Sequence, residues 1–372
     1  HSFPTRRSSD LILSDGLLID FLGEKPFFIF PGNTYGGHEI MSLEIINVLY
    51  NNGCYITIAV ESTNEKLISA VYEKFPNADV IYLPLKQVRF EFIHTILNGY
   101  RIFKACNFLK KITTRKYSRI VLIQGDIELG SIYIKAAGIL NLAIVSYIPY
   151  AHSAKKMYKR LALLRDLYYP RLFLKVSTFI TISDVFRKDI LSFNPSSNVL
   201  IFKNKVRNLD VFKRIRSDFL QNPNTEHGGL LKITLIGRVS LKQKGHDILV
   251  NAILKISQKY YPFFSVDIIG NGDDYEQLQK IIYDSKLDNI IKLLGWKKEP
   301  WDVACCSDLI VIPSRFEGVP LVMLEAIELG IDVIASRSDG MIDYLNPEEL
   351  FNNDEDLAKI LERKISRKIG MA

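Results

Sequence analysis

The sequence predicts an α/β chain of two facing, doubly wound, Rossmann-like parallel-sheet domains. Three observations carry this. Short apolar runs bounded by Gly or Pro alternate with helical periods through both halves of the chain. The strand-like runs are apolar throughout, the pattern of parallel sheets covered on both faces. The chain has 372 residues, 48% of them hydrophobic, enough to bury two cores of ordinary size.

In the first half "PFFIF" reads as a strand, "PGNTYGG" as a loop and "HEIMSLEIINVLYNNG" as a helix ending at Gly53. "YITIAV", "DVIYLPL", "RIVLIQG", "LAIVSYI" and "TFITIS" follow as β-rich runs with helices between. In the second half "LKITLIG", "FSVDIIG", "NIIKLLG", "DLIVIPS" and "DVIAS" are strands. The helices "HDILVNAILKISQKY", "DDYEQLQKIIYDS" and "PLVMLEAIEL" separate them. The expected division is a first domain over 12–220, a polar linker at 221–229, a second domain over 230–350 and a C-terminal helix over 351–372. Residues 1–11, "HSFPTRRSSDL", resemble a translated sequencing adapter and are set aside from fold reasoning.

Charged residues make up 24% of the chain, as in soluble globular proteins. No apolar stretch reaches the ~18 residues of a membrane helix. Cys54, Cys106, Cys305 and Cys306 suit neither a disulfide framework nor a zinc site. They read as thiols of a reducing cytosol. Charge is uneven. Residues 12–229 carry 28 Lys and Arg against 18 Asp and Glu, and residues 230–372 carry 18 against 22. A basic first half suggests an anionic partner there.

The stretch "RFEGVPLVMLEAIELG", 315–330, follows the strand "DLIVIPS". Pro320 suits the first helical position and Gly330 the C-terminal cap. The amides of Gly318, Val319 and Leu321 then lie at a helix N-terminus beyond a strand's carboxyl end, a site for a diphosphate. Glu317 precedes that turn and Glu325 lies on the helix. Carboxylates hold sugar hydroxyls well, although Glu325 alone also reads as a solvated helix residue. In "LIGRVSLKQKGHDILVNAI", Gly237 ends a strand, and Arg238 and Lys244 bracket the loop before a helix. Two cations there suit a diphosphate, or are surface residues of a basic loop.

Taken together, the "GR…KG" loop, "IIGNGD", "LLGW" and Glu-x7-Glu after Pro-Ser resemble family 4 of the retaining glycosyltransferases, of the two-domain GT-B fold and the glycosyl transferases group 1. "PGNTYGGHE", "TISDVFRKDI" and "VLIFKN" extend the resemblance into the first half. It implies that Arg238 and Lys244 neutralise a donor diphosphate, and that Glu325 grips the nucleotide ribose. It implies that Glu317 stands beside the donor sugar, and that the backbone from Gly318 to Leu321 holds sugar and phosphate. Gly36 and Gly37 let the first domain's loop approach the donor. His152 matches the family's histidine near the reacting carbon or is a structural loop residue; His38 and His246 read as structural. The sequence departs from the family at Asp339, where a Gly is usual, and at Asp343 and Asn204-Lys205. It also ends soon after "LERKISRKIGMA", where relatives usually continue with a further helix, so a truncated fragment is expected.

The expected reaction moves a sugar from a nucleotide diphosphate sugar, with retention, to a glycan or polyprenyl-phosphate-linked acceptor in cell-surface polysaccharide synthesis. The alternatives are a non-catalytic nucleotide-sugar-binding subunit and a nucleotide-sugar epimerase. The reading requires no cofactor and no metal: "DED" at Asp354–Asp356 matches a metal motif but sits at a helix start, where acids favour the dipole. No nucleic-acid reader motif is present. The stretches "RIFKACNFLKKITTRKYSR" and "AKKMYKRLALLRDLYYPRLFLK" mix cations with apolar residues. They suit an anionic membrane surface on the cytoplasmic side, or simply form solvated basic helix faces.

Overall fold

The computed structural model describes residues 12–221 and 230–370. The expected adapter at 1–11 and linker residues 222–229 lie outside the described residues, as do 371 and 372. The chain forms two compact units, one ending at Lys205 and one starting at Val206.

The first unit is built on a seven-stranded sheet. Its strands are β1 (Pro26–Phe30), β2 (Thr57–Val60), β3 (Asp79–Tyr82), β4 (Arg119–Ile123), β5 (Val145–Tyr147), β6 (Thr178–Thr181) and β7 (Asn198–Ile201). Their order is β3-β2-β1-β4-β5-β6-β7, and every pairing is parallel. Strands β1, β2 and β5 are buried at every residue. Because successive side chains point to opposite faces, both faces of the sheet are covered. That is why these segments read as unbroken apolar runs.

The second unit holds β8 (Leu231–Ile236), β9 (Phe264–Ile269), β10 (Ile291–Gly295), β11 (Leu309–Ile312), β12 (Asp332–Ser336) and β13 (Leu350–Phe351). They run parallel in the order β10-β9-β8-β11-β12-β13. Strand order reverses between β8 and β11 here, and between β1 and β4 in the first unit. Ligands of such sheets bind at the carboxyl ends of the strands beside that reversal.

The division at Lys205 falls earlier than the expected linker. The reason is the helix Asp210–Gln221, whose buried Arg216 donates to the carbonyls of Cys305 and Ser307 at 3.2 and 2.5 Å. Those bonds make the helix part of the second unit. The Asp354–Asp356 acids open the helix Asp354–Lys368, capped by Asn353. Lys255 meets Asp354 and Glu355 at 3.1 and 3.3 Å.

Candidate functional site

Two loops flank the strand reversal in the second unit, one after β8 and one after β11. Glycines let them approach each other and their neighbours. A Cβ on Gly245 would lie 2.0 Å from the Pro313 carbonyl oxygen, and one on Gly270, at φ +154°, 1.8 Å from that of Gly237. The partial Gly-x-Gly of "IIGNGD" is therefore spent on backbone packing. Arg315 ties the two loops together. Its guanidinium donates to the Leu241 carbonyl at 2.5 Å and to both Asp247 oxygens at 2.8 and 2.6 Å.

The cations expected after β8 stand in this frame. Arg238 is exposed and donates to Gln243 Oε1 at 2.9 Å. Lys244 ends the one-turn helix Leu241–Lys244, and its Nζ reaches Glu317 Oε2 at 2.5 Å. The Lys244 stem packs 3.7 Å from where a Cβ on Gly237 would be. Arg238, Lys244, Gly237 and Glu317 thus converge, although Arg238 and Glu317 lie far apart in sequence.

The helix after β11 runs Leu321–Glu328, with Pro320 as its N-cap rather than its first residue. Pro320 offers no capping side chain, and the Met323 N–H turns back to the Pro320 carbonyl at 3.1 Å. Gly330, at φ +64°, lies one residue beyond the C-cap Leu329, the usual place for a left-handed glycine. The turn carrying Glu317, Gly318 and Val319 is held by Asp339. Its carboxylate accepts the Glu317 N–H at 2.7 Å, and its own φ is +54°. A Cβ on Gly340 would meet Val319 Cγ2 at 2.5 Å. Asp339, a departure from the family pattern, is therefore the strut under the Glu317 turn.

Glu325 is only 9% exposed, so it is not a solvated helix residue. Trp301 Nε1 donates to its Oε2 at 2.7 Å, and Arg207 Nε to its Oε1 at 2.8 Å. Arg207 also grips Glu299 with both terminal nitrogens, at 2.5 and 2.6 Å, holding the Glu299 carboxyl below the usual range. His246 is buried beside this loop. Burial first, and Lys244 second, push its pKa down to about 4, so at neutral pH it is an uncharged core group.

Gly36, Gly37 and His152 belong to the first unit, Gly36 and His152 in loops at the carboxyl edge of its sheet and Gly37 at the start of the helix after β1. Gly36 has φ −150° and precedes the helix Gly37–Asn51, whose Glu39 accepts the Gly36 N–H at 2.9 Å. Neither glycine is left-handed, and a Cβ on Gly37 would meet nothing within 4 Å. Folding does not explain them. His152 is buried, stacked on Tyr150 with ring centroids 5.0 Å apart and edge-on to Phe186 at 5.5 Å.

Sequence reasoning missed Arg207, Glu299, Trp301 and Arg315. Arg315 begins the stretch 315–330, two residues before Glu317, and the Pro-Ser-Arg run that ends in it was the available signal. The other three carry no local motif.

Residues 231–367 match the family model described as glycosyl transferases group 1. Among curated proteins, the chain is 34% identical over 101 residues to an uncharacterised glycosyltransferase of Methanocaldococcus jannaschii, covering 27% of this chain and 24% of that one. It is 27% identical over 182 residues to the amylovoran biosynthesis glycosyltransferase AmsK of Erwinia amylovora, covering 46% and 42%. The matches thus span less than half the length of these relatives. Among solved structures, Anabaena HepE in complex with UDP aligns with a TM-score of 0.68 at 15% identity, covering 92% of this chain and 90% of that one.

Proposed function

We propose, from a chain whose residues 231–367 belong to the glycosyl transferases group 1, that the protein moves a hexose from a nucleotide diphosphate sugar to a glycan or lipid-linked acceptor. One observation carries this reading. Lys244, Glu317, Arg238 and an uncapped helix N-terminus converge at the strand reversal of the second unit, with Glu325 one helical turn further on. Cations and amides stabilise the departing diphosphate where its charge develops. Glu317 stands beside the sugar and Glu325 holds the ribose. The acceptor attacks from the face that the leaving group vacates, so configuration is retained. UDP is the first donor nucleotide to try, because HepE binds it, and AmsK's name points to cell-surface polysaccharide.

The basic first unit supports a place on the cytoplasmic face of a membrane. Among the described residues no helix is long and apolar enough to cross one. The helix Ala162–Phe173 instead shows solvent Leu163 at 76% and Leu167 at 69% exposure. Lys155, Lys156, Arg171 and Lys175 around it are exposed as well. Apolar side chains ringed by cations suit an anionic lipid surface.

The test is release of free nucleoside diphosphate from a panel of nucleotide sugars, with and without a glycan or polyprenyl-phosphate acceptor. Release that requires the acceptor, is abolished by Lys244→Ala and survives EDTA is expected. Epimerised donor without release overturns the reading. Loss of turnover in EDTA with recovery in Mn²⁺ overturns the metal-independent route.

A further inference from the structure

The first unit contains a cavity of about 350 Å³, at the small end of small-molecule pockets. Three loops at the carboxyl edge of the sheet build it: residues 87–91 after β3, 126–129 after β4 and 159–165 after β5. Eight of its eleven lining residues are polar or charged, with Val88, Phe90 and Leu129 apolar.

The inner wall is charged but internally balanced. Glu128, 4% exposed, is gripped by the Arg165 guanidinium and accepts the Tyr169 hydroxyl at 3.0 Å. Lys159 Nζ bridges Asp126 at 2.8 Å and Glu128 at 3.5 Å. Arg165 lies between the rings of Phe90 and Phe92, 5.4 and 5.1 Å from their centroids. Such a wall offers fixed acceptors and donors without net charge, which suits hydroxyl groups.

The mouth differs. Arg89 and Arg160 are both exposed, and among the described residues neither has a carboxylate partner. Arg89 rests on Phe90, 5.3 Å from the ring centroid. Two guanidinium forks from separate loops, lining one cavity and without a carboxylate partner among the described residues, fit an anion with several oxygens. A bare anion would find no unpaired cation deeper in, since Lys159 and Arg165 are held by Asp126 and Glu128. An apolar ligand would strand the charged wall.

Phe90 and Leu161, in the segments that build the cavity, take left-handed φ values of 62° and 55°. They are the N-caps of the helices Glu91–Leu97 and Ala162–Phe173, so the turns that carry Arg89 and Arg160 are set by the helices that follow them.

We propose that this cavity binds a sugar ring carrying a phosphate, with the hydroxyls on Asp126, Glu128 and Lys159 and the phosphate between Arg89 and Arg160. The site is the acceptor's, and in that respect the inference rests on the transferase reading. The phosphate belongs either to a free sugar phosphate or to a lipid-linked diphosphate sugar.

The test is calorimetric titration of the full chain with glucose, galactose and N-acetylglucosamine 1-phosphates, the free hexoses, inorganic phosphate and UDP. At least one sugar phosphate should bind about tenfold or more tightly than its free hexose and than inorganic phosphate. Arg89→Glu and Arg160→Glu should each weaken it at least about tenfold. Both variants should leave UDP binding and the melting temperature unchanged. A prenyl diphospho-sugar in micelles that binds more tightly assigns the lipid source; equal binding assigns the free sugar phosphate. Sugar-phosphate binding that survives both charge reversals, is displaced by UDP, or is absent at millimolar concentration overturns the proposal. Loss of UDP binding alone, with the sugar phosphate still held by Arg89 and Arg160, sinks the transferase reading and leaves this site standing.

Discussion

The loops of the second unit and those of the first do comparable work by different means. In the second, backbone meets backbone: glycines 245, 270 and 340 sit where any Cβ would strike a neighbouring residue. In the first, side chains hold the loops, through Glu128 with Arg165 and Tyr169, and Gln124 with Ser146 at 2.6 Å. A backbone-built site tolerates few residues at fixed positions. A side-chain-built site can be rebuilt by exchanging the side chains. The family match covers 231–367 and stops short of the first unit.

The comparison breaks most visibly at its glycines. Gly270→Ala places a Cβ against the Gly237 carbonyl at a φ that L-residues avoid. We expect a loss of about 3 kcal/mol or more in denaturant unfolding. Gly37→Ala meets nothing and should leave stability unchanged while lowering donor turnover. Equal destabilisation by the two would erase the distinction.

The two acids come next. Glu317→Ala, beside the sugar, should chiefly lower kcat, by about 100-fold, the scale of one lost transition-state contact. Glu325→Gln keeps a partner for Trp301 Nε1 but loses its charge. It should chiefly raise the donor KM, about tenfold. Steady-state kinetics with both variants decide it, and a shared kcat effect would merge the two roles.

Glu91 and His246 should respond to acidity in opposite directions. Burial first, against the lowering effect of the Gly130 and Ile132 amides, raises Glu91 from 4.5 to about 7. The folded first unit therefore keeps a proton that the unfolded chain loses. The Glu91 contribution to its stability is greatest below about pH 4.5 and falls as pH rises to about 7. His246 is depressed from 6.5 to about 4, so its contribution to the second unit is present above pH 6.5 and lost as pH falls to about 4. Each is worth up to about 3 kcal/mol. Hydrogen exchange read separately for each unit should show the first unit lose less stability from about pH 4.5 to 7 in Glu91→Gln than in wild type, and the second lose less from about pH 6.5 to 4 in His246→Asn. A pH dependence unchanged in both variants would refute the assignment.

The smallest effect concerns the exposed leucines. Binding to phosphatidylglycerol vesicles should fall with salt and drop further in Leu163→Glu/Leu167→Glu, with soluble-acceptor activity intact. Equal binding to neutral vesicles would remove the membrane from the account.

Much of the fold was legible because parallel strands buried on both faces must be apolar throughout, and "PFFIF", "KITLI" and "LIVI" declare themselves. The motif residues of the loops after β8 and β11 were legible for a related reason: their spacing is imposed by one strand and one turn. Glu325 shows the limit. Its burial depends on Trp301 and Arg207, which reach it from distant parts of the chain, and no local pattern encodes such a meeting. The linker was misplaced because polarity marks exposure, whereas Arg216 decides by its bonds which unit the preceding helix joins. Asp339 was visible only as a mismatch, and its role as a strut follows from a left-handed backbone that composition does not reveal.

Arg207 has a further consequence. It occupies one oxygen of Glu325 while keeping a bidentate hold on Glu299, and its side chain is 46% exposed. On the proposed reading, a ribose diol arriving at Glu325 would trade places with it, since buried Trp301 holds the other oxygen. The resting protein would then carry its own tethered rival for the nucleoside. Each arrival would be an exchange rather than an addition, and each departure would be refilled by a neighbour that never diffuses away. Such an arrangement would favour throughput over retention of the ligand.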